Sequence, residues 1–366
     1  MYGSRFRNIT KNLDTPLVTL TIIASLFGLL MISSAGGGKY VLIQTIAFVL
    51  GVVCIGTLIF LGYEYLADIS LYLYGAGLIL LLLVLIPGLG AVRGGARSWF
   101  ELGPINFQPA ELVKIVFIIL YAKELSENDL NINEPRTLGR MLIFLAIPFF
   151  LILIQPDLGS AAVFFVIALV MLFTAGISWK YLAAGFGALA VAFPLMWFIV
   201  LHDYQKNRIL TLFNPELDPA GAGYHVIQSK LAVGSGQFLG SGLFKGASQV
   251  NGSLPERHTD FIFSVVCEEL GFIGAILVII LLAAIIVRCI YIGQNARDSL
   301  GTYICNGVAA MLIFQIFENI GMCIGIFPVT GITLPFFSYG GSSLLTTMIA
   351  IGLVLSVKYR CRMINF

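Results

Sequence analysis

Charge is what this 366-residue chain most lacks. Asp, Glu, Lys and Arg make up 11% of it, against 58% hydrophobic residues. A water-soluble domain carries about 25% charged residues, so a soluble globular enzyme is excluded. A disordered protein, a coiled coil and a nucleic-acid binder fall on the same ground. Cysteine is sparse: the six fall in apolar blocks or near helix ends, with no CxxC and no Cys/His cluster. That disfavours disulfides and a zinc site. His202, His225 and His258 have no metal-binding spacing. No GxxxxGK[ST] occurs, and the run from Gly234 to Gly240 neither matches GxGxxG nor opens a βαβ unit. Neither nucleotide nor haem is expected. The apolar residues do not alternate over ten-residue segments, which argues against a β-barrel. What remains is an all-α, polytopic membrane protein.

A membrane-crossing helix needs about 20 apolar residues. Ten such blocks are present: 16–36, 40–62, 68–87, 108–123, 139–155, 158–176, 180–201, 260–288, 301–325 and 342–358. A basic leader (Arg5, Arg7, Lys11) precedes the first. That block exceeds the usual signal-peptide core of roughly 7–15 residues, so it is expected to be retained. With the N-terminus in the cytoplasm, the inside segments hold 12 Lys and Arg and the short outside loops 3. This asymmetry places both termini inside. The chain then reads as one membrane-embedded domain, 1–366, with extracytoplasmic loops at about 88–107 and 202–259. The longer loop holds an apolar stretch, 226–233, that suits a short helix at the membrane surface.

Ionisable groups inside spans are costly and therefore functional candidates. Glu111 and Lys114, three apart, share a helix face. An internal salt bridge and a ligand-orienting role are both compatible with that spacing. In Gln155-Pro156-Asp157-Leu158-Gly159 a tight turn with a capping Asp157 is expected. Asp157 is also a carboxylate at the bilayer boundary. Asp260 sits at the mouth of the eighth span, where it or Thr259 can cap the helix. Glu268 lies about 12 Å deeper at ~1.5 Å per residue. Glu268 and Glu269 together call for basic or hydroxyl partners from other spans. The run from Pro328 to Ser343 reads as a re-entrant turn, in which Ser338 and nearby glycines either cradle a polar ligand or simply turn the chain.

These blocks together resemble the SEDS family of peptidoglycan glycosyltransferases, the RodA/FtsW group. The resemblance rests on Arg97-Ser98-Trp99, Phe107-Gln108-Pro109-Ala110-Glu111-Leu112-Val113-Lys114 and Gln155-Pro156-Asp157-Leu158-Gly159. It continues through Pro255-Glu256-Arg257-His258-Thr259-Asp260, Glu268-Glu269-Leu270-Gly271, Pro328-Val329-Thr330-Gly331 and Ser338-Tyr339-Gly340-Gly341-Ser342-Ser343. The stretch from Gln228 to Gly246 and the short termini look like the RodA, elongation branch. Thr333 and Ser253 are minor departures. The resemblance implies polymerisation of lipid II on the outer face of the bacterial cytoplasmic membrane, with a class B penicillin-binding transpeptidase and other elongation-complex membrane proteins as partners. It makes Asp260 the essential aspartate.

The residues suit that chemistry. An acceptor hydroxyl must lose a proton as it attacks an anomeric carbon, and a carboxylate at the outer mouth is a suitable general base. The leaving diphosphate needs cations, for which Arg93, Arg97, Lys114 and Arg208 are the candidates. Trp99 either stacks on a sugar or sits in the interfacial aromatic belt, and the belt reading is favoured. A divalent cation, Mg or Mn, between carboxylate and diphosphate would assist, although no dedicated metal site is visible. Two other readings stay open. A lipid II flippase would account for buried polar residues, but discontinuous spans in matching halves are not evident. A non-catalytic scaffold would need no carboxylate at the mouth of a polar loop.

Overall fold

The computed structural model describes residues 13–93, 95–102, 105–200, 203–214, 218, 221–247, 252 and 254–362. Its helices are α1 (Thr15–Gly36), α2 (Gly38–Leu61), α3 (Tyr63–Asp68), α4 (Ser70–Leu83), α5 (Pro109–Glu127), α6 (Pro135–Ile154) and α7 (Leu158–Thr174). They continue with α8 (Trp179–Leu195) and a π-helical turn Met196–Val200. Then come α9 (Asp203–Phe213), α10 (Ala222–Ser235), α11 (Ile262–Gln294), α12 (Ser299–Cys323) and α13 (Gly341–Arg362). Six of them, α1, α2, α6, α11, α12 and α13, are long and apolar enough to cross a membrane, and α4 and α7 are shorter apolar helices. The chain is a helical membrane protein.

Local chemistry sets the helix starts. Asp14 accepts from the Leu17 N–H at 3.0 Å, Asp157 from Ser160 N–H at 3.0 Å, and Asp298 from Gly301 N–H at 2.8 Å. Proline occupies the first turn of α1, α5 and α6, where its missing N–H costs nothing. Helix α12 is the hub, packing on α5, α7, α10, α11 and α13. Helices α2 and α13 lie along each other. Their close approach uses small residues, since a Cβ at Gly51 would meet Met348 and one at Gly352 would meet Leu58 and Ile55.

One segment departs from the all-α expectation. Residues of the 88–107 loop form a three-stranded antiparallel sheet of β1 (Ala91–Arg93), β2 (Ala96–Leu102) and β3 (Ile105–Phe107), in the order β1-β2-β3. The physical reason is local. The run Ala-Arg-Ser-Trp-Phe-Glu-Leu mixes polar and aromatic residues as a half-exposed strand does, and it is too short and polar for a helix at this depth. The 202–259 loop is also structured, since α9 and α10 lie within it and α10 packs on α11 and α12.

A second departure is a discontinuous helix. Gly271 interrupts α11 with φ +64° and ψ −163°. The break strands backbone groups in the middle of an apolar helix, and the segment after α10 supplies their partners. Ser241 N–H donates to Glu268 O at 2.9 Å and Gly242 N–H to Glu269 O at 2.9 Å. In return Phe272 N–H donates to Gln237 O at 2.8 Å. Non-helical backbone is tolerated within a membrane only where such exchange satisfies it. The approach is backbone to backbone: a Cβ at Gly240, which has φ +75°, would lie 2.2 Å from Glu269 O.

The loops gather at two ends. At one end Asp14 forms a bidentate pair with Arg288, 2.8 Å to each oxygen. Burial alone would raise the Asp14 carboxyl, but Arg288 and the Leu17 N–H outweigh it and hold the carboxyl below its ordinary value. At the other end the segments 35–40, 105–108, 155–157, 254–261 and 328–342 meet.

Gly240→Ala adds both strain and a backbone clash, and is expected to cost at least about 2 kcal/mol. The check is the thermal unfolding midpoint in detergent. Ser241→Ala, which removes only the hydroxyl bond to Glu268 O at 3.1 Å, should cost about 1 kcal/mol. Equal midpoints for Gly240→Ala and the parent would contradict the docking.

Candidate active site

Asp260 ends the turn that leads into α11 and sits two residues before the first helical position. Its side chain is half-buried, and among the described residues nothing hydrogen-bonds its carboxylate. Desolvation by burial pushes its pKa up to about 7, and the neighbouring charge of Glu256 adds to the rise. Arg208 on α9 pulls the other way. A carboxyl poised there suits proton transfer at neutral pH.

The strand of chain across from Asp260 is the ribbon Thr330-Gly331-Ile332. A Cβ at Gly331 would lie 3.4 Å from Asp260 Oδ2, an ordinary contact, so the carboxylate borders this residue, and it is the φ of +81° that calls for glycine here. The two loops are tied together: Tyr339 N–H donates to His258 O at 2.8 Å, and Arg257 Nε to Ala35 O at 2.7 Å. Tyr40, His258 and Tyr339 form an aromatic trio, with Tyr40 centroids 4.3 Å from His258 and 4.8 Å from Tyr339. Beside them opens a cleft of about 390 Å³ lined by Gly36, Tyr40, Leu254, Glu256, Arg257 and His258. Burial lowers the His258 pKa, partly opposed by Glu256. The imidazole is therefore neutral at neutral pH.

On the other side of the ribbon lies a buried polar cluster. Lys114, 1% exposed, pairs with Glu111 at 2.7 Å. Asp157 accepts from Gln108 Nε2 at 2.9 Å and from Ser160 through both its N–H and its hydroxyl. Burial raises the Asp157 pKa; the Ser160 bonds and Lys114 oppose the rise, and Glu111 adds to it. Glu318 of α12 joins from the hub, within electrostatic reach of Asp157 and Lys114. It is 6% exposed, and among the described residues its Oε2 has no hydrogen-bond partner. Gly159 touches the same ribbon, since a Cβ there would lie 3.1 Å from Thr330 Cβ. The ribbon is thus a wall shared by both polar groups.

The remaining expected site residues are dispersed. Arg97 and Trp99 lie on β2, paired with Val92 and Ala91. Arg97 pairs with no carboxylate among the described residues. Arg93 ends β1, and its side chain lies outside the described residues. Arg208 is near enough to Asp260 and His225 to act on both electrostatically. Glu268 and Glu269 sit immediately before the α11 break, away from the mouth. Glu269 Oε1 accepts from Ser34 Oγ at 2.5 Å, a hydroxyl partner from α1. Ser338 is 3% exposed; its hydroxyl accepts from Leu334 N–H at 2.8 Å and its carbonyl from Gln44 Nε2 at 3.1 Å. The hydroxyl is engaged in holding the turn. No group of three His, Cys, Asp or Glu side chains among the described residues is placed to hold a metal.

Residues not singled out from the sequence complete the picture. Gln315, Glu318 and Asn319 lie at i, i+3 and i+4 on α12 and are all buried. Polar side chains on one face of an apolar helix were the available signal.

The family model described as "Cell cycle protein", covering FtsW, RodA and SpoVE, matches residues 14–363. The peptidoglycan glycosyltransferase MrdB of Escherichia coli K12 is 38% identical over 286 residues, covering 78% of this chain and 77% of that protein. A solved peptidoglycan synthase complex, described as coordinating polymerization and crosslinking, contains a chain 34% identical with a TM-score of 0.84. The match covers 96% of this chain and 99% of that one. The rod shape determining protein RodA of Thermus thermophilus is 32% identical with a TM-score of 0.71, covering 96% and 98%.

Lys114→Met would leave Glu111 as an unpaired buried charge, and is expected to cost about 3–5 kcal/mol. The double variant Glu111→Gln/Lys114→Met should cost less than the sum of the singles. Thermal unfolding in detergent reads both; additive losses would contradict a coupled pair.

Proposed function

Because this chain belongs to the FtsW/RodA/SpoVE family of cell cycle proteins, we propose that Asp260 is the general base of a glycan polymerase. The chain is a peptidoglycan glycosyltransferase of the membrane, acting in cell elongation. Its substrate in this reading is lipid II. The acceptor hydroxyl gives its proton to Asp260 as its oxygen bonds to the donor's anomeric carbon. The bond from that carbon to the undecaprenyl diphosphate breaks with inversion, and the diphosphate leaves with the electron pair. Arg208 beside Asp260, and Arg97 on the sheet, meet the developing negative charge. Lys114 contributes through the buried cluster, where Glu111 holds it. A divalent cation, Mg or Mn, would be held by the Asp260 carboxylate and the substrate diphosphate, and would neutralise charge on the leaving group.

The observation that carries this reading is the state of Asp260. It is a half-buried carboxyl that accepts no hydrogen bond from the described residues, it follows closely on Glu256, Arg257 and His258, which line the polar cleft, and burial pushes its pKa up to about 7.

The topology follows the basic residues. Both termini face the cytoplasm, and the loop-crowded end with Asp260 faces outward. Helices α4, α5, α7 and α8 complete ten crossings with the six long helices, and the chain works as one membrane-embedded unit. A class B penicillin-binding transpeptidase is the cross-linking partner, alongside other elongation-complex membrane proteins. The synthase complex with a matching fold supports this arrangement.

The test is lipid II polymerisation by the purified chain with its transpeptidase, read as glycan ladders on a gel. Asp260→Ala should lose about 10²–10⁴-fold in rate; undiminished polymer would overturn the role. The base works deprotonated, so the rate should rise with pH through about 7. Glu256→Gln removes a charge that raises this pKa, and should move the midpoint to lower pH. Arg208→Gln should move it higher.

A further inference from the structure

One amide side chain joins the two walls of the site. Asn319 of α12 is 0% exposed. Its Nδ2 donates to the backbone oxygen of Asp260 at 2.8 Å and to that of Ile332 at 2.7 Å. Both partners are carbonyls, which only accept, so the nitrogen must face them. Cys323, one turn further along α12, adds its thiol to the same Asp260 carbonyl at 3.7 Å.

The Asp260 carbonyl has particular need of these donors. Helix α11 begins at Ile262, and its first turn bonds back to Phe261, with Ser264 N–H at 3.0 Å from Phe261 O. The Asp260 carbonyl lies just upstream, and its donors come from α12. A buried carbonyl without a donor is costly. The second carbonyl, that of Ile332, directly follows Gly331, the residue against which the Asp260 carboxylate rests. A single planar group therefore fixes both the backbone that carries the carboxylate and the ribbon that borders it.

We propose that Asn319 is a positioning residue for Asp260, setting where the carboxylate stands between the ribbon and the cleft. The proposal rests on the reading of Asp260 as the general base. Among the described residues three ionisable groups face Asp260: Glu256 from its own loop, Arg208 from α9 and the Cys323 thiol from α12. The ribbon Thr330-Gly331-Ile332 brings none. Replacing Asn319 with a neutral residue changes none of these charges, so any shift in pH dependence reports the place and hydration of the carboxylate.

The experiment compares Asn319→Leu with the parent, as full chain with its transpeptidase, on lipid II. Displacement of a base by about 1 Å can cost roughly a hundredfold in rate. A loss of that order in kcat is expected, with little change in KM. A loosened carboxyl takes up water and moves toward the ordinary carboxylate range, so the midpoint of the pH–rate profile should fall. Cys323→Ala should act in the same direction and less strongly. A merely structural Asn319 would lower the folded fraction while rate per folded enzyme and pH midpoint stayed put, and that result overturns the proposal. If Asn319→Leu does not fold, Asn319→Ser is read by the same two criteria. Asp260→Asn separates the two claims. If it retains full rate, the base assignment fails. If it is inactive while the Asn319 variants keep the parent profile, only the positioning role fails.

Discussion

Backbone hydrogen bonding in a medium that offers none is the constraint on which the structure depends. A continuous helix meets it internally. Helix α11 breaks at Gly271, and the chain from Gln237 to Gly242 must then enter the bundle to satisfy the exposed groups. That docking explains why the long loop is glycine-rich and why it is folded against α11. It leaves a short half-helix, Ile262 to Leu270, with Asp260 at its open end. The half-helix is anchored by Ser264, which shares a hydrogen bond with Ser229 of α10 at 2.7 Å.

The same constraint shapes the polar residues. Three carboxylates, Glu111, Asp157 and Glu318, share one ammonium, Lys114, in a low-dielectric interior. Like charges there are tolerated only through pairing, hydrogen bonds or protonation. Asp260 is kept apart from this cluster by the Thr330–Ile332 ribbon, and its carboxylate accepts no hydrogen bond from the described residues. That separation gives the two groups different chemistry. The cluster is inward-facing, whereas Asp260 is half-buried on the loop whose Glu256, Arg257 and His258 line a cleft. Helix α12 connects them, with Glu318 on the cluster side and Asn319 reaching Asp260.

Much of this was legible in the sequence, and the rest was hidden for physical reasons. Each apolar block overlies a helix, because span-length hydrophobicity is a strong signal. The Glu111–Lys114 pair followed from i, i+3 spacing. The break at Gly271 was masked, since Leu270-Gly271-Phe272 continues the apolar pattern and only the backbone angles reveal it. The sheet around Trp99 is too short for strand periodicity to stand out. Ser338 left a ligand cradle and a bare turn equally open, because the partner of a hydroxyl is fixed only in three dimensions. Asn319 was missed although a buried amide in an apolar helix obeys the rule that found Glu111.

The account turns on the Asp260 carboxyl being poised near neutrality by burial. Titration of that carboxyl by carbon-13 NMR tests this most directly. It would use the full chain labelled at aspartate side chains, with the signal assigned by its loss in Asp260→Asn. A midpoint of about 7 is the expected result. A midpoint near the ordinary aspartate value of about 4 would contradict it.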